Sequence, residues 1–203
     1  LLVDLGNLEA LGAVSRATER LSQGEIFEFQ IGLQADTREE SYFAMVGDKT
    51  ASLISASCRI GPLMADAPRE MVEALTKYGE SLGLAFQIAD DILDFTGDAS
   101  TLGKPVGHDL RERKITLPLI KALDKAPEDE RSGIVSILTS PTPSEGDWAR
   151  VVDFVTQYDG VGAAQQTARE YAAQAQSCLQ ILPTSVSRSI LETAVRLVVE
   201  RDS

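Results

Sequence analysis

A chain of 203 residues with 43% hydrophobic side chains can build one sizeable core, and a formal charge of −12 is the wrong sign for a nucleic acid or an anionic membrane, both of which need basic patches. Cys58 and Cys178 lack metal-ligand spacing, so the expectation is buried thiols in a reducing, cytoplasmic setting. No apolar run reaches bilayer length, no signal-peptide pattern is read at the start, and the single histidine, His108, excludes histidine-rich metal sites.

In chain order, apolar residues at helical spacing over 8–29 predict a long first helix, loosened at Gly24 and followed by a polar connector over 32–37. Glu39-Glu40 introduce a second helix over 38–64. Its small residues, among them Ala44, Gly47, Ala51, Ser52, Ser55 and Gly61, let neighbouring backbones approach closely and predict a central, packed rod. Asp48-Lys49-Thr50 sits in its middle. A lysine there either snorkels out to water or faces an anion, and spacing alone leaves both open.

Asp66-Ala67-Pro68 offers an N-cap candidate and a first-turn proline for the next helix. That helix carries Ala-Phe-Gln-Ile-Ala-Asp-Asp-Ile-Leu-Asp over 85–94. At about 100° per residue, Gln87, Asp90, Asp91 and Asp94 share one arc, while Phe86, Ile88, Ala89, Ile92, Leu93 and Phe95 fill the rest. An empty stripe of this kind is costly. Aspartate is a mediocre helix former, like charges one turn apart repel, and the carbonyl end of the helix disfavours Asp94. No Lys or Arg lies between Lys77 and Lys104 to offset it. Clustered carboxylates suit Mg²⁺, which takes one or two of them together with waters and substrate phosphate oxygens. The plainer alternative is a solvated acidic face.

Gly97, Gly103, Pro105 and Gly107 mark a long loop over 97–114, where cations return as Lys104, Arg111, Arg113 and Lys114. Such a loop fits a lid over a phosphate-metal complex, or else a surface loop that neutralises the acidic helix. From Thr116 onward, helices are broken by Pro118, Pro127, the cluster Ser140-Pro141-Thr142-Pro143-Ser144 and Gly160-Val161-Gly162. Trp148 is expected in the core, 163–182 reads as an Ala/Gln-rich helix, and Val186, Ile190, Ala194, Leu197 and Val198 share one face of the last. No strand alternation stands out, so the fold class is all-α.

The run Phe86-Gln87-Ile88-Ala89-Asp90-Asp91-Ile92-Leu93-Asp94, followed by Leu102-Gly103-Lys104-Pro105, Asp109-Leu110 and Lys114-Ile115-Thr116-Leu117-Pro118, resembles the second aspartate-rich motif of the trans-type (all-E) polyprenyl diphosphate synthases. The likeness runs from Leu8 to Val198-Val199-Glu200-Arg201-Asp202. It implies a bundle of mainly antiparallel helices around a deep cavity, of the isoprenoid synthase type. It also implies Mg²⁺-dependent condensation of isopentenyl diphosphate with an allylic diphosphate, and a homodimer meeting through the first two helices. By motif, Asp90, Asp91 and Asp94 match the metal-binding acids, with Asp90 the direct ligand. Lys49 and Lys104 match lysines that contact the allylic diphosphate, and Lys114 of the same loop joins them as a substrate-binding residue. Thr50 and Gln87 match residues whose oxygens face the cationic carbons. A neutral oxygen dipole there stabilises a passing carbocation, whereas a free carboxylate would be alkylated by it.

Two departures accompany the resemblance. The family's first aspartate-rich motif is absent and is expected upstream of Leu1, which is not a methionine. The chain is then one partial domain, the C-terminal portion of an active synthase, and inactive alone. Glu28 stands where many relatives are expected to have glutamine. A non-catalytic partner subunit of a synthase is the alternative. A terpene cyclase of the same fold is weaker, because the Lys114-Ile115-Thr116-Leu117-Pro118 run points to the synthases.

Overall fold

Asn7 starts the first helix by accepting the amide of Ala10 at 2.9 Å on its side chain, and α1 then runs unbroken over Leu8–Gln34. The structure, a computed structural model, describes residues 6–96 and 107–200. Helix α1 reaches past the expected connector and closes at Ala35, whose φ of 47° lets Asp36 donate back to the carbonyl of Ile31. Gly24 does not loosen it. A methyl there would overlap the backbone of Lys49, so the glycine is a point of close approach between two helices.

The second rod is interrupted rather than continuous: α2 (Glu39–Val46) passes through one π turn, Gly47–Ala51, into α3 (Ser52–Met64). The turn is closed by Ser52, whose amide donates to the carbonyl of Gly47 five residues back. Side-chain donors also reach the carbonyls of the turn, with Ser52 Oγ on Asp48 at 2.6 Å and Arg20 Nη2 on Gly47 at 3.2 Å. Arg20 also pairs with the Asp48 carboxylate at 2.6 Å, so α1 grips the turn from one side.

Asp66 closes α3 instead of opening the next helix. It adopts φ 48°, and Ala67 donates to Pro62 five residues back, a helix-terminating arrangement with aspartate where glycine is usual. The first turn of α4 (Arg69–Thr96) then bonds to the carbonyl of Pro68. Helix α4 lies against α3 on one side and, on another, against the later helix α9 (Gly160–Cys178). Gly83 permits the first contact, since a methyl on it would stand 2.6 Å from Cα of Ala51 in the π turn. The π turn is thus held between α1 at Gly24 and α4 at Gly83.

After residues 97–106, which are not described, Gly107 (φ 72°) leads into the short α5 (His108–Arg111). Then follow α6 (Leu117–Lys125), α7 (Glu128–Thr139), α8 (Glu145–Gln157), α9, a 3₁₀ turn Leu179–Ile181 and α10 (Val186–Glu200). Ser144 and Asp147 form a reciprocal capping box at the start of α8, which seats Trp148 in the core as expected. Gly160 begins α9 rather than breaking the chain; the break falls at Asp159, with φ 47°. The all-α class holds, with no strand among the described residues.

The larger core joins Ile31, Tyr42 and Val46 to Ile88 and Ile92 of α4 and to Leu117, Ile120 and Leu123 of α6. Burying each large aliphatic side chain stabilises the fold by about 1.5–3 kcal/mol. A second core packs Tyr78, Ala85 and Ala89 against Ala172, Ala175, Val195 and Val198. Cys58 and Cys178 border it as free thiols, half-buried rather than buried. The expected face of the last helix splits: Val198 is buried, while Val186, Ile190 and Leu197 are 78%, 62% and 56% exposed. Among the described residues, no helix is long and apolar enough to cross a membrane.

Candidate active site

A cavity of about 270 Å³ is lined by Glu28, Ile31, Met45, Lys49, Gln87, Asp90, Asp91, Asp109, Lys114, Ile115 and Thr116. The fold brings α1, the π turn, α4 and the segment before α6 to one place. The π turn resolves the question that spacing left open for Lys49, whose side chain turns inward. Its ammonium donates to Glu28 Oε2 at 2.6 Å and lies 3.6 Å from Glu25 Oε1.

Beside it runs a chain of hydrogen bonds. Thr50 Oγ1 donates to Gln87 Oε1 at 2.8 Å, Gln87 Nε2 donates to Asp91 Oδ1 at 3.0 Å, and Tyr42 Oη donates to Asp91 Oδ2 at 2.7 Å. The amide of Gln87 can serve both neighbours only with its nitrogen toward the carboxylate and its carbonyl toward Thr50. Asp91 is 4% exposed. Burial pushes its carboxyl up to about 7 against the lowering effect of Tyr42 and Gln87, and the charges of Asp109 and Asp90 add to the rise. Burial, and then the Asp91 charge, push the Tyr42 phenol well above its usual range.

The acidic stripe does not act as a unit. Asp90 is exposed, and among the described residues nothing hydrogen-bonds to or ion-pairs with its carboxylate. Asp91 has both oxygens occupied inside the protein. Asp94 lies outside the cavity wall and accepts the amides of His108 and Asp109 at 3.0 and 3.2 Å, capping α5. Burial, and secondarily Asp109, raise its carboxyl above the usual range despite those bonds.

The loop cations also divide. Lys104 lies outside the described residues. Arg113 points away and donates to the carbonyls of Leu138, Ser140 and Pro141, while Arg111 pairs with Glu145. Lys114 reaches the cavity and donates to Asp109 at 2.9 Å and Glu112 at 2.8 Å. Burial opposes its charge, but those carboxylates hold the ammonium above its ordinary range. His108 sits at the margin, 3.4 Å from Glu112.

The donor chemistry fits a hard, hydrated cation. Among the described residues, the carboxylate oxygens of Asp90 are uncommitted and the buried hydroxyl of Thr116, on the cavity wall, has no hydrogen-bond partner. No group of three acids among the described residues could hold an ion by itself, so waters and substrate oxygens would have to complete the shell, as is usual for Mg²⁺. Sequence reasoning gave no role to Tyr42, Glu28 or Asp109. Tyr42 had a readable signal, since it stands two helical turns before Lys49, but its partner on another helix did not.

Comparison with known proteins gives the family. Residues 1–155 match the family model described as polyprenyl synthetase. The chain is 36% identical over 197 residues to a short chain isoprenyl diphosphate synthase of Methanothermobacter thermautotrophicus, an alignment covering 96% of this chain and 59% of that protein. It is 32% identical over 201 residues to heptaprenyl diphosphate synthase component 2 of Geobacillus stearothermophilus, covering 99% and 62%. The crystal structure of a polyprenyl synthase from Roseobacter denitrificans superposes with a TM-score of 0.90 at 36% identity, covering 98% of this chain and 65% of that one. The chain therefore spans about three-fifths of the length of these relatives. With a cavity that gathers lysine, threonine, glutamine and aspartate from the separate motifs, and a family model that fits three-quarters of its length, the chain belongs to the polyprenyl synthetase family.

Proposed function

We propose that this chain forms part of the catalytic cavity of a Mg²⁺-dependent prenyltransferase that condenses isopentenyl diphosphate with an allylic diphosphate. The observation that carries this reading is the Thr50–Gln87–Asp91–Tyr42 chain of hydrogen bonds, whose Gln87 and Asp91 line one cavity with Lys49, Asp90 and Lys114. Lys49 and Lys114 are placed to draw the negative charge of a diphosphate, with Lys104 expected to join them. Asp90, with Asp91 and Asp94 on the same helix, would hold Mg²⁺, which would supply further positive charge to the leaving group.

The allylic carbon–oxygen bond breaks with its electron pair leaving on diphosphate, and Lys49 stabilises that charge as it develops. The double bond of isopentenyl diphosphate then attacks the allylic carbon, and transfer of a proton from the resulting cation to the released diphosphate restores a double bond. Thr50 and Gln87 present neutral oxygens to the cationic carbons. Asp91, one turn beyond, is kept from acting as a competing nucleophile because Tyr42 and Gln87 occupy both of its oxygens.

A cytoplasmic location is supported by two free thiols, Cys58 and Cys178. A homodimer is supported by Ile26, Phe29 and Leu33, which form one exposed apolar stripe along α1. The same stripe, together with the relative named as component 2 of a heptaprenyl diphosphate synthase, supports a second reading in which the chain works as one subunit of a two-chain enzyme. Solution mass, and prenyl transfer by the parent synthase that contains this chain with and without a second subunit, separate the two. Prenyl transfer by the parent synthase that contains this chain, with and without Asp90→Ala, tests the mechanism. Activity should fall by more than about a hundredfold, as for lost transition-state charge stabilisation, and activity within tenfold of the parent would overturn it.

A further inference from the structure

We propose that Glu28 regulates diphosphate capture by competing with the incoming diphosphate for the ammonium of Lys49. This rests on the reading of Lys49 as a diphosphate contact. The two groups stand 2.6 Å apart, with side chains 24% and 20% exposed, so the pair is largely shielded from water and is stronger than a surface ion pair. Glu25, three residues earlier on α1, adds a second carboxylate at 3.6 Å. The arrangement is built into the backbone. Gly24 brings α1 against Lys49 itself, so the π turn cannot present that lysine to the cavity without also presenting it to Glu28.

The other described lysine of the cavity is committed in the same way, to Asp109 and Glu112. Among the described residues, a diphosphate entering the cavity therefore meets only ammonium groups already paired with a carboxylate. It must also tolerate the displaced Glu28 charge on the same wall. A neutral amide at this position would leave Lys49 unpaired and offer a further N–H donor. Glu28 thus sets diphosphate affinity through Lys49, weakening capture and easing release.

Calorimetric titration of the protein with inorganic pyrophosphate at fixed Mg²⁺ tests this. Glu28→Gln should tighten binding about three- to tenfold, the scale of one partly shielded ion pair. Lys49→Met should weaken it, and the double variant should bind like Lys49→Met alone. Tightening that persists without Lys49 would mean simple charge repulsion and would overturn the competition, as would a Glu28→Gln protein that binds no tighter than the parent. Equal binding by the parent and Lys49→Met would instead remove the underlying reading of Lys49. Glu25→Gln, at the longer distance and on a more exposed side chain, should shift affinity less than Glu28→Gln.

Discussion

Tyr42 and Asp91, 49 positions apart in the chain, meet in a buried 2.7 Å hydrogen bond that ties α2 to the aspartate-bearing α4. Through Gln87 the same carboxylate fixes an amide facing the cavity, so a phenol remote from any substrate controls how that amide is aimed. Tyr42→Phe keeps the ring and removes the donor, leaving a buried acceptor short of one bond. The expected loss is about 1–3 kcal/mol of stability, measured by denaturant unfolding. Turnover should fall with it while Mg²⁺ affinity changes little.

Asp91 also makes a pH prediction for the metal-free protein. Its folded-state value is raised from the ordinary 3.8 to about 7, chiefly by burial. A raised carboxyl binds its proton more tightly folded than unfolded. Its stabilising contribution is therefore complete below about pH 4 and is lost as pH rises through about 7. Unfolding free energy followed across that window should decline with pH in the parent and flatten in Asp91→Asn. An unchanged slope in the variant would mean the burial effect is elsewhere.

The three aspartates should fail differently. Asp94→Ala removes the side-chain cap on the amides of His108 and Asp109 and should cost about 1 kcal/mol of stability. Asp90→Ala removes an exposed carboxylate with no protein partner among the described residues and should leave stability unchanged or slightly raised, while abolishing Mg²⁺-dependent binding of pyrophosphate. Thermal melts with and without Mg²⁺ and pyrophosphate distinguish the two.

Glycines predict opposite signs. Gly24→Ala drives a methyl into the backbone of Lys49 and should destabilise by about 1–3 kcal/mol, the usual scale of overpacking. Gly61→Ala, in α3 with nothing within 4 Å of the added methyl, should stabilise by up to about 1 kcal/mol through helix propensity. Equal effects in chemical denaturation would refute the account of close approach at the π turn.

Much of this was legible from spacing. The apolar flanks of 85–94 correctly bury Ile88 and Ile92, and the prolines after Thr116 fall at or near helix starts. The side-chain stripe was legible as an arc but not as three separate fates, because the partners of Asp91 and Asp94 come from other segments. Glycine misled twice: at Gly24 and Gly160 its missing side chain serves contact with another segment, which a one-dimensional pattern reads as flexibility. Asp66 misled in the reverse sense, since a residue suited to starting helices can also take the left-handed conformation that ends one.

The wide turn at Gly47–Ala51 fixes how many residues the chain must have at this point. Inserting or deleting one residue there would swing the whole of α3 by about 100° about its axis, carrying Ala56 and Ser55 out of their seats and uncoupling Lys49 from Thr50's partner on α4. The spacing between Val46 and Ser52 is therefore fixed as strictly as the identities of Lys49 and Thr50 within it, and a frame-preserving one-codon change in this stretch should damage the fold far more than a point substitution at an exposed position.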